Sequence, residues 1–234
     1  MSPLSSQPLR LIVYDLDGTL VDAFEDIWIG VNHALRQFGL PELPYAQVKS
    51  YVGDGARMLI RRCLGEAHAD RFDEVYPAYR AYYAEHPVDK AHPYPGVAET
   101  LQKVRALGLR QAILTNKPDE VSLLTCARLG LDGLVDGIWG EQPGRPRKPD
   151  PDSLLQVARH FGFALGQCAL VGDGPADHKV AHAAGVRMFA VSYGLLSRAQ
   201  AEALRPAAVL DSIGELVALT FESWDGVPDP RRAG

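Results

Sequence analysis

The amino-acid sequence predicts an α/β protein: a Rossmann-like parallel sheet with helices on both faces, and a small all-helical domain inserted after the first strand. Three features carry this expectation. From residue 91 onward, short apolar runs alternate with amphipathic stretches, the rhythm of right-handed βαβ crossovers. Residues 22–90 hold helical patterns and nothing that reads as a strand. Two of the apolar runs end in paired aspartates, Asp15 with Asp17 and Asp173 with Asp177, and open parallel sheets bind ligands beyond such strand ends.

The first strand is the apolar run Leu11-Ile12-Val13-Tyr14, which leads into a glycine-containing turn. Phe24, Ile27, Trp28, Val31, Leu35 and Phe38 then follow helical spacing, and Gly39 with Pro41 closes that helix. Further helices are expected at 56–64 and 69–85, the second bent at Pro77 and carrying Phe72, Tyr76, Tyr79 and Tyr83 as a packing stripe. After His92-Pro93-Tyr94-Pro95-Gly96, the expected order is a helix near Val97, a strand at 111–114 and a helix at 119–129. A strand at 135–139, a helix at 151–161, a strand at 168–171, a helix after Pro175 and a strand at 187–191 follow. This divides the chain into an α/β core of 1–21 and 91–222, a helical cap of 22–90, and a frayed, proline- and charge-rich tail of 223–234.

Composition narrows the class. The 234 residues suffice for one sizeable core with an accessory domain, and 47% apolar with 23% charged content is ordinary for a globular enzyme. No apolar run approaches the ~20 residues of a membrane span, and the first residues lack a basic leader and an apolar signal core, so a cytoplasmic protein without membrane contact is expected. A net charge of -5 and the lack of a dense basic patch argue against nucleic acid. Cys63, Cys126 and Cys168 are widely spaced, with no CxxC, and read as reduced filler. A monomer or homodimer is expected.

The chemistry begins with Asp15-Leu16-Asp17-Gly18-Thr19. Residues two apart on an extended chain project the same way, so both carboxylates approach one small volume. Two anions that close call for a hard cation such as Mg²⁺ or for a division of labour between nucleophile and acid/base. A second pair in Gly172-Asp173-Gly174-Pro175-Ala176-Asp177 favours a shared cation, although Asp177 by itself would suit the first turn of a helix. Thr115 and Asn116 close a further strand, and Lys148, stiffened between prolines in Arg145-Pro146-Arg147-Lys148-Pro149, reads as a charge balancer. His178 and His182 stand four apart, but Lys179 occupies the place of the HExxH glutamate, so they read as ordinary helix residues. A strand-end aspartate, a metal, a hydroxyl and a lysine together suit phosphoryl transfer.

These residues, in this order, resemble the haloacid dehalogenase superfamily, in particular its phosphatase branch with a helical cap. Within it, Val21-Asp22, Tyr94-Pro95-Gly96-Val97, Leu114-Thr115-Asn116-Lys117-Pro118 and Arg147-Lys148-Pro149-Asp150-Pro151 resemble phosphoglycolate phosphatases most closely. The resemblance implies a Mg²⁺-dependent hydrolase of a small phosphate monoester. Asp15 would be the nucleophile and Asp17 the acid and base, while Thr115 and Lys148 would hold the phosphoryl group. Asp15, the Asp17 backbone carbonyl, Asp173 and Asp177 would hold the metal. Gly53, Gly55 and Arg57 in the cap and Asn116 in the core would contact substrate, Arg57 pairing with a carboxylate. Dehalogenases lack the second aspartate, so Asp17 favours ester hydrolysis. A phosphomutase, or a phosphatase of sugar phosphates, nucleoside monophosphates or pyrophosphate, would use the same core. A signalling receiver shares the acids, threonine and lysine but lacks Asp17 and the helical insertion.

Overall fold

The computed structural model describes residues 8–222; the expectation for the tail lies outside the described residues. Eight strands are present among the described residues: β1 (Leu11–Tyr14), β2 (Val21–Asp22), β3 (His92–Pro93), β4 (Arg110–Pro118), β5 (Gly137–Glu141), β6 (Cys168–Gly172), β7 (Arg187–Val191) and β8 (Ala208–Leu210). The α-helices described are α1 (Phe24–Gln37), α2 (Tyr45–Ser50), α3 (Ala56–Leu64), α4 (Phe72–Glu85), α5 (Val97–Ala106), α6 (Asp119–Arg128), α7 (Pro151–His160), α8 (Pro175–Ala184), α9 (Arg198–Ala203) and α10 (Leu216–Glu222). No helix among the described residues is long and apolar enough to cross a membrane.

Six strands form one parallel sheet in the order β5-β4-β1-β6-β7-β8. Period-two alternation sorts its side chains. Leu11, Val13, Ala112, Leu114, Leu170 and Met188 face a core with α7 and α8, while Ile12, Tyr14, Ile113, Val171 and Phe189 face the side of α5 and α6. Both faces are buried, which is why β1 reads as an unbroken apolar run. The chain leaves β1 toward β4 and β5, then crosses back to β6 on the other flank. The strand order therefore reverses at β1, and the carboxyl ends of β4, β1 and β6 open side by side.

Helices α1 to α4 all lie between β2 and β3, two-residue strands that pair antiparallel, Val21 with Pro93 and Asp22 with His92. This ribbon corrects the expectation that strand structure is missing from residue 22, and it brings the entry and exit of the helical segment together. The buried Asp26 carboxylate ties the same junction, accepting the backbone N–H groups of Lys90 (3.0 Å) and Ala91 (2.8 Å). Elsewhere the expected elements hold to within a few residues. Strand β5 starts two residues later than expected, because Asp136 is used to bind the Arg110 guanidinium and the Gln111 amide at the start of β4. Strand β4 runs on through Thr115-Asn116-Lys117 to Pro118, with its register against β5 shifted beyond Leu114. Pro77 lies within α4.

Replacing Asp26 by alanine strands two amide donors at the junction, at roughly 1–3 kcal/mol for each buried unsatisfied group. Urea unfolding should show a loss of about 2–6 kcal/mol with an unchanged m-value. A loss below about 0.5 kcal/mol would remove the carboxylate as the anchor of the helical segment.

Candidate active site

The Asp15 amide still donates to Val171 O (2.9 Å), so Asp15 continues β1 along β6 and its side chain leaves at the sheet's carboxyl edge. Its Oδ1 accepts the Leu16 N–H at 2.7 Å. The chain then winds into a tight turn in which Leu16 O accepts from the amides of Leu20 and Val21 (2.9 Å each). Gly18 has φ 85°, and a Cβ there would meet Asp173 Oδ2 at 2.0 Å. Glycine is required on both counts.

Beyond β6, Asp173 reaches across to this turn. Its Oδ2 accepts the Leu195 amide at 2.7 Å and its Oδ1 accepts the Thr19 hydroxyl at 3.3 Å. Asp177, in the first turn of α8, accepts the Gly174 amide on Oδ2 (3.1 Å) and the Lys148 ammonium on Oδ1 (2.6 Å). Its N-terminal helix position and its place in the site are thus both realised. Lys148 is buried and spans Asp177 and Asp15, the latter at 2.8 Å. Its backbone carbonyl accepts from Asn116 Nδ2 at 2.9 Å, which fixes the loop on the sheet.

Asp15, Asp173 and Asp177 each present a carboxylate oxygen within 4.8 Å of the others. The electrostatics follow from this crowding. Burial, then the charges of Asp15 and Asp177, push the Asp173 carboxyl well above the usual range. Burial and Asp15 push Asp177 up to about 6, against the pull of Lys148. Burial alone would lower the Lys148 ammonium, but Asp15 and Asp177 together hold it above its ordinary value. Three buried hard oxygen donors that resist holding charge together match what a small divalent cation needs, so the residues fit a bound metal.

Asp17 stands apart from that cluster. Its carboxylate faces Lys117 Nζ, at 2.9 and 3.2 Å, and the same ammonium donates to the Tyr83 hydroxyl of α4 at 2.6 Å. Burial raises the Asp17 carboxyl and Lys117 opposes the shift. Lys117 is a residue of this cavity that the sequence reading did not single out. It lies in the motif that carried Thr115 and Asn116, yet a lysine beside a proline reads by default as a solvated turn.

A cavity of about 50 Å³ lies between the sheet edge and the helices, lined by all four aspartates together with Thr115, Asn116, Gly53 and Gly55. Asn116 Nδ2 donates to Gly53 O at 3.0 Å, and Arg147 donates to Asp54 O at 3.2 Å, so the glycine loop sits on the core. The structure thus brings together every expected site residue except Arg57. That guanidinium lies 5.1 and 5.0 Å from the ring centres of Phe72 and Tyr76, outside the cavity lining, apart from the other expected site residues. Ala56, Leu59, Ile60 and Cys63 form the inward stripe of α3, and Arg57 falls on the other side. His178 and His182 stack on each other at 6.2 Å as neighbours on α8.

Known proteins extend this picture. The sequence model of the haloacid dehalogenase-like hydrolases matches residues 12–191. A phosphoglycolate phosphatase of Pseudomonas syringae is 33% identical, the match covering 95% of this chain and 85% of that protein. One from Haemophilus influenzae is also 33% identical, over 90% of this chain and 97% of the relative. A crystal structure from Haemophilus somnus, described as a predicted phosphoglycolate phosphatase, superposes with a TM-score of 0.85 at 28% identity, covering 91% of this chain and 98% of that one. The chain therefore belongs to the haloacid dehalogenase-like hydrolase family.

Proposed function

We propose that this phosphoric monoester hydrolase is Mg²⁺-dependent, works through an aspartyl-phosphate, and has 2-phosphoglycolate as its substrate. The observation that carries the reading is the meeting of Asp15, Lys148, Asp173 and Asp177 on one side of a small cavity, with Asp17 held separately. Relatives named phosphoglycolate phosphatases at 33% identity support the substrate.

The Asp15 carboxylate attacks phosphorus, and the bond from phosphorus to the leaving oxygen breaks as Asp17 delivers its proton to that oxygen. The aspartyl-phosphate at Asp15 is then attacked by a water whose proton Asp17 accepts, which returns Asp15 and releases inorganic phosphate. Lys148 offsets charge on Asp15 and on the phosphoryl oxygens throughout, and the Thr115 hydroxyl donates to one of those oxygens. Mg²⁺, held by Asp15, the Asp17 backbone carbonyl, Asp173 and Asp177, would supply the remaining positive charge for the phosphoryl group. Residues 22–90 act in this reading as a cap over a core of 1–21 and 91–222. Gly53 and Gly55 let its backbone approach the substrate.

A panel of small phosphate esters assayed with Mg²⁺ and again with EDTA tests the reading directly. Turnover of 2-phosphoglycolate should require the metal. Asp15→Asn should reduce kcat by ~10³-fold or more while the protein still binds substrate. Near-normal turnover in that variant would remove Asp15 as nucleophile.

Metal should also act on stability, with a defined pH dependence. Asp177, raised to about 6, and the raised Asp173 keep protons in the folded chain that the unfolded chain has released above the ordinary carboxylate value. Stability from these groups thus falls as pH rises through that window, and a cation restores it only where they are ionised. The gain in Tm from MgCl₂ over NaCl at equal ionic strength should be larger near pH 7 than near pH 5. Equal gains at both would contradict binding at this cluster.

A further inference from the structure

The cavity is lined by four carboxylates and, among the described residues, by one cationic side chain, Lys117. Lys148 is held between Asp15 and Asp177, and Arg57 is stacked on Phe72 and Tyr76. A phosphate ester whose organic part carries a carboxylate brings a second anion into this acidic space. Burying that anion is costly unless a cation meets it there. Lys117 can do so: its side chain is 2% exposed, and its ammonium lies 4.7 Å from the centre of the Tyr83 ring.

The donors of Lys117 are already engaged, two contacts going to the Asp17 oxygens and one to the Tyr83 hydroxyl. An ammonium has three hydrogens to give. A carboxylate that enters must therefore compete with Asp17 for the same cation. We propose that Lys117 and Tyr83 form the subsite for the substrate's carboxylate, and that its arrival draws Lys117 away from Asp17 and frees that side chain to face the leaving oxygen. The inference rests on the phosphoglycolate reading and deepens it. The carboxylate becomes both what is recognised and what releases the acid, so an ester lacking it leaves Asp17 paired and turns over slowly. Tyr83 belongs to α4, so the subsite is complete only with the helical segment against the sheet.

The test compares kcat/KM for 2-phosphoglycolate and for 2-hydroxyethyl phosphate, which differs by having a neutral hydroxymethyl in place of the carboxylate, using the Mg²⁺-loaded full chain. The wild type should prefer 2-phosphoglycolate. Lys117→Met should shrink that preference by about 10- to 100-fold, the value of a charge-assisted contact, and Tyr83→Phe should shrink it by a smaller factor. Equal losses on both esters in Lys117→Met would overturn the subsite, leaving Lys117 as a support for Asp17 alone. If circular dichroism shows that Lys117→Met does not fold, Tyr83→Phe decides, and an intact preference there overturns the proposal. A wild type that hydrolyses both esters equally well also overturns it while sparing the phosphatase reading, whereas one that hydrolyses neither overturns that reading itself.

Discussion

The crowding of four carboxylates around one small cavity, three of them buried and Asp17 half-buried, is the constraint on which the rest of this molecule depends. Two unit charges at the 4.8 Å limit of the Asp15–Asp173–Asp177 cluster repel by roughly 3 kcal/mol at an effective dielectric near 20. Repulsion repeated across the cluster is comparable to the ~5–15 kcal/mol that holds a whole domain folded. Burial deepens the penalty, as the raised Asp173 and Asp177 carboxyls record. Lys148 relieves part of it, by direct contact at Asp15 and Asp177 and more weakly, through its charge, at Asp173. The direct partners of Asp173 are the Leu195 amide and the Thr19 hydroxyl. The positive charge still wanted is what suits the place to a metal ion and a phosphate group.

A structure that stores such repulsion needs a stiff frame, and the sheet provides it. Asp15 and Asp173 follow adjacent parallel strands whose register is fixed by pairing from Leu11 with Cys168 to Tyr14 with Val171. Glycine admits the close approach. A Cβ at Gly172 would come within 2.4 Å of Asp177 Cγ, and one at Gly194 within 2.2 Å of Gly18 O. Larger residues at these positions would push the acids apart, lowering the repulsion and dispersing the site with it. The stability cost and the function therefore share one geometry.

How much of this the sequence discloses depends on the range of the interactions involved. Strand β1, helix α3 and strand β7 are legible because burial on one or both faces writes a local pattern. The four aspartates are legible because they come as two pairs, each in the glycine-containing segment that follows an apolar strand. The β2–β3 ribbon is not, since two-residue strands have no periodicity and exist only through a partner about seventy residues away. Lys117 is hidden for a related reason: its burial depends on Tyr83 and Asp17, which reach it from distant segments. Arg57 shows the converse. The glycines before it suggest a substrate loop, but the stripe of Ala56, Leu59, Ile60 and Cys63 already turns it outward, and reading that period would have placed it.

The two lysines show how one residue type can be held in two ways around one pair of aspartates. Asp15 is paired with Lys148, whose loop is fastened to the sheet through Asn116. Asp17 is paired with Lys117, whose remaining donor goes to a helix of the inserted segment. In the proposed roles, the nucleophile's cation is thus held mainly from the sheet, whereas that of the acid depends on where α4 sits. Each carboxylate answers to its own cation, so their properties can diverge even though they are neighbours in the chain. A phosphoryl group must be met by a fixed nucleophile, but proton delivery is useful only once a substrate is enclosed. Fastening one acid to the sheet and the other to the helices satisfies both demands with the same pair of aspartates.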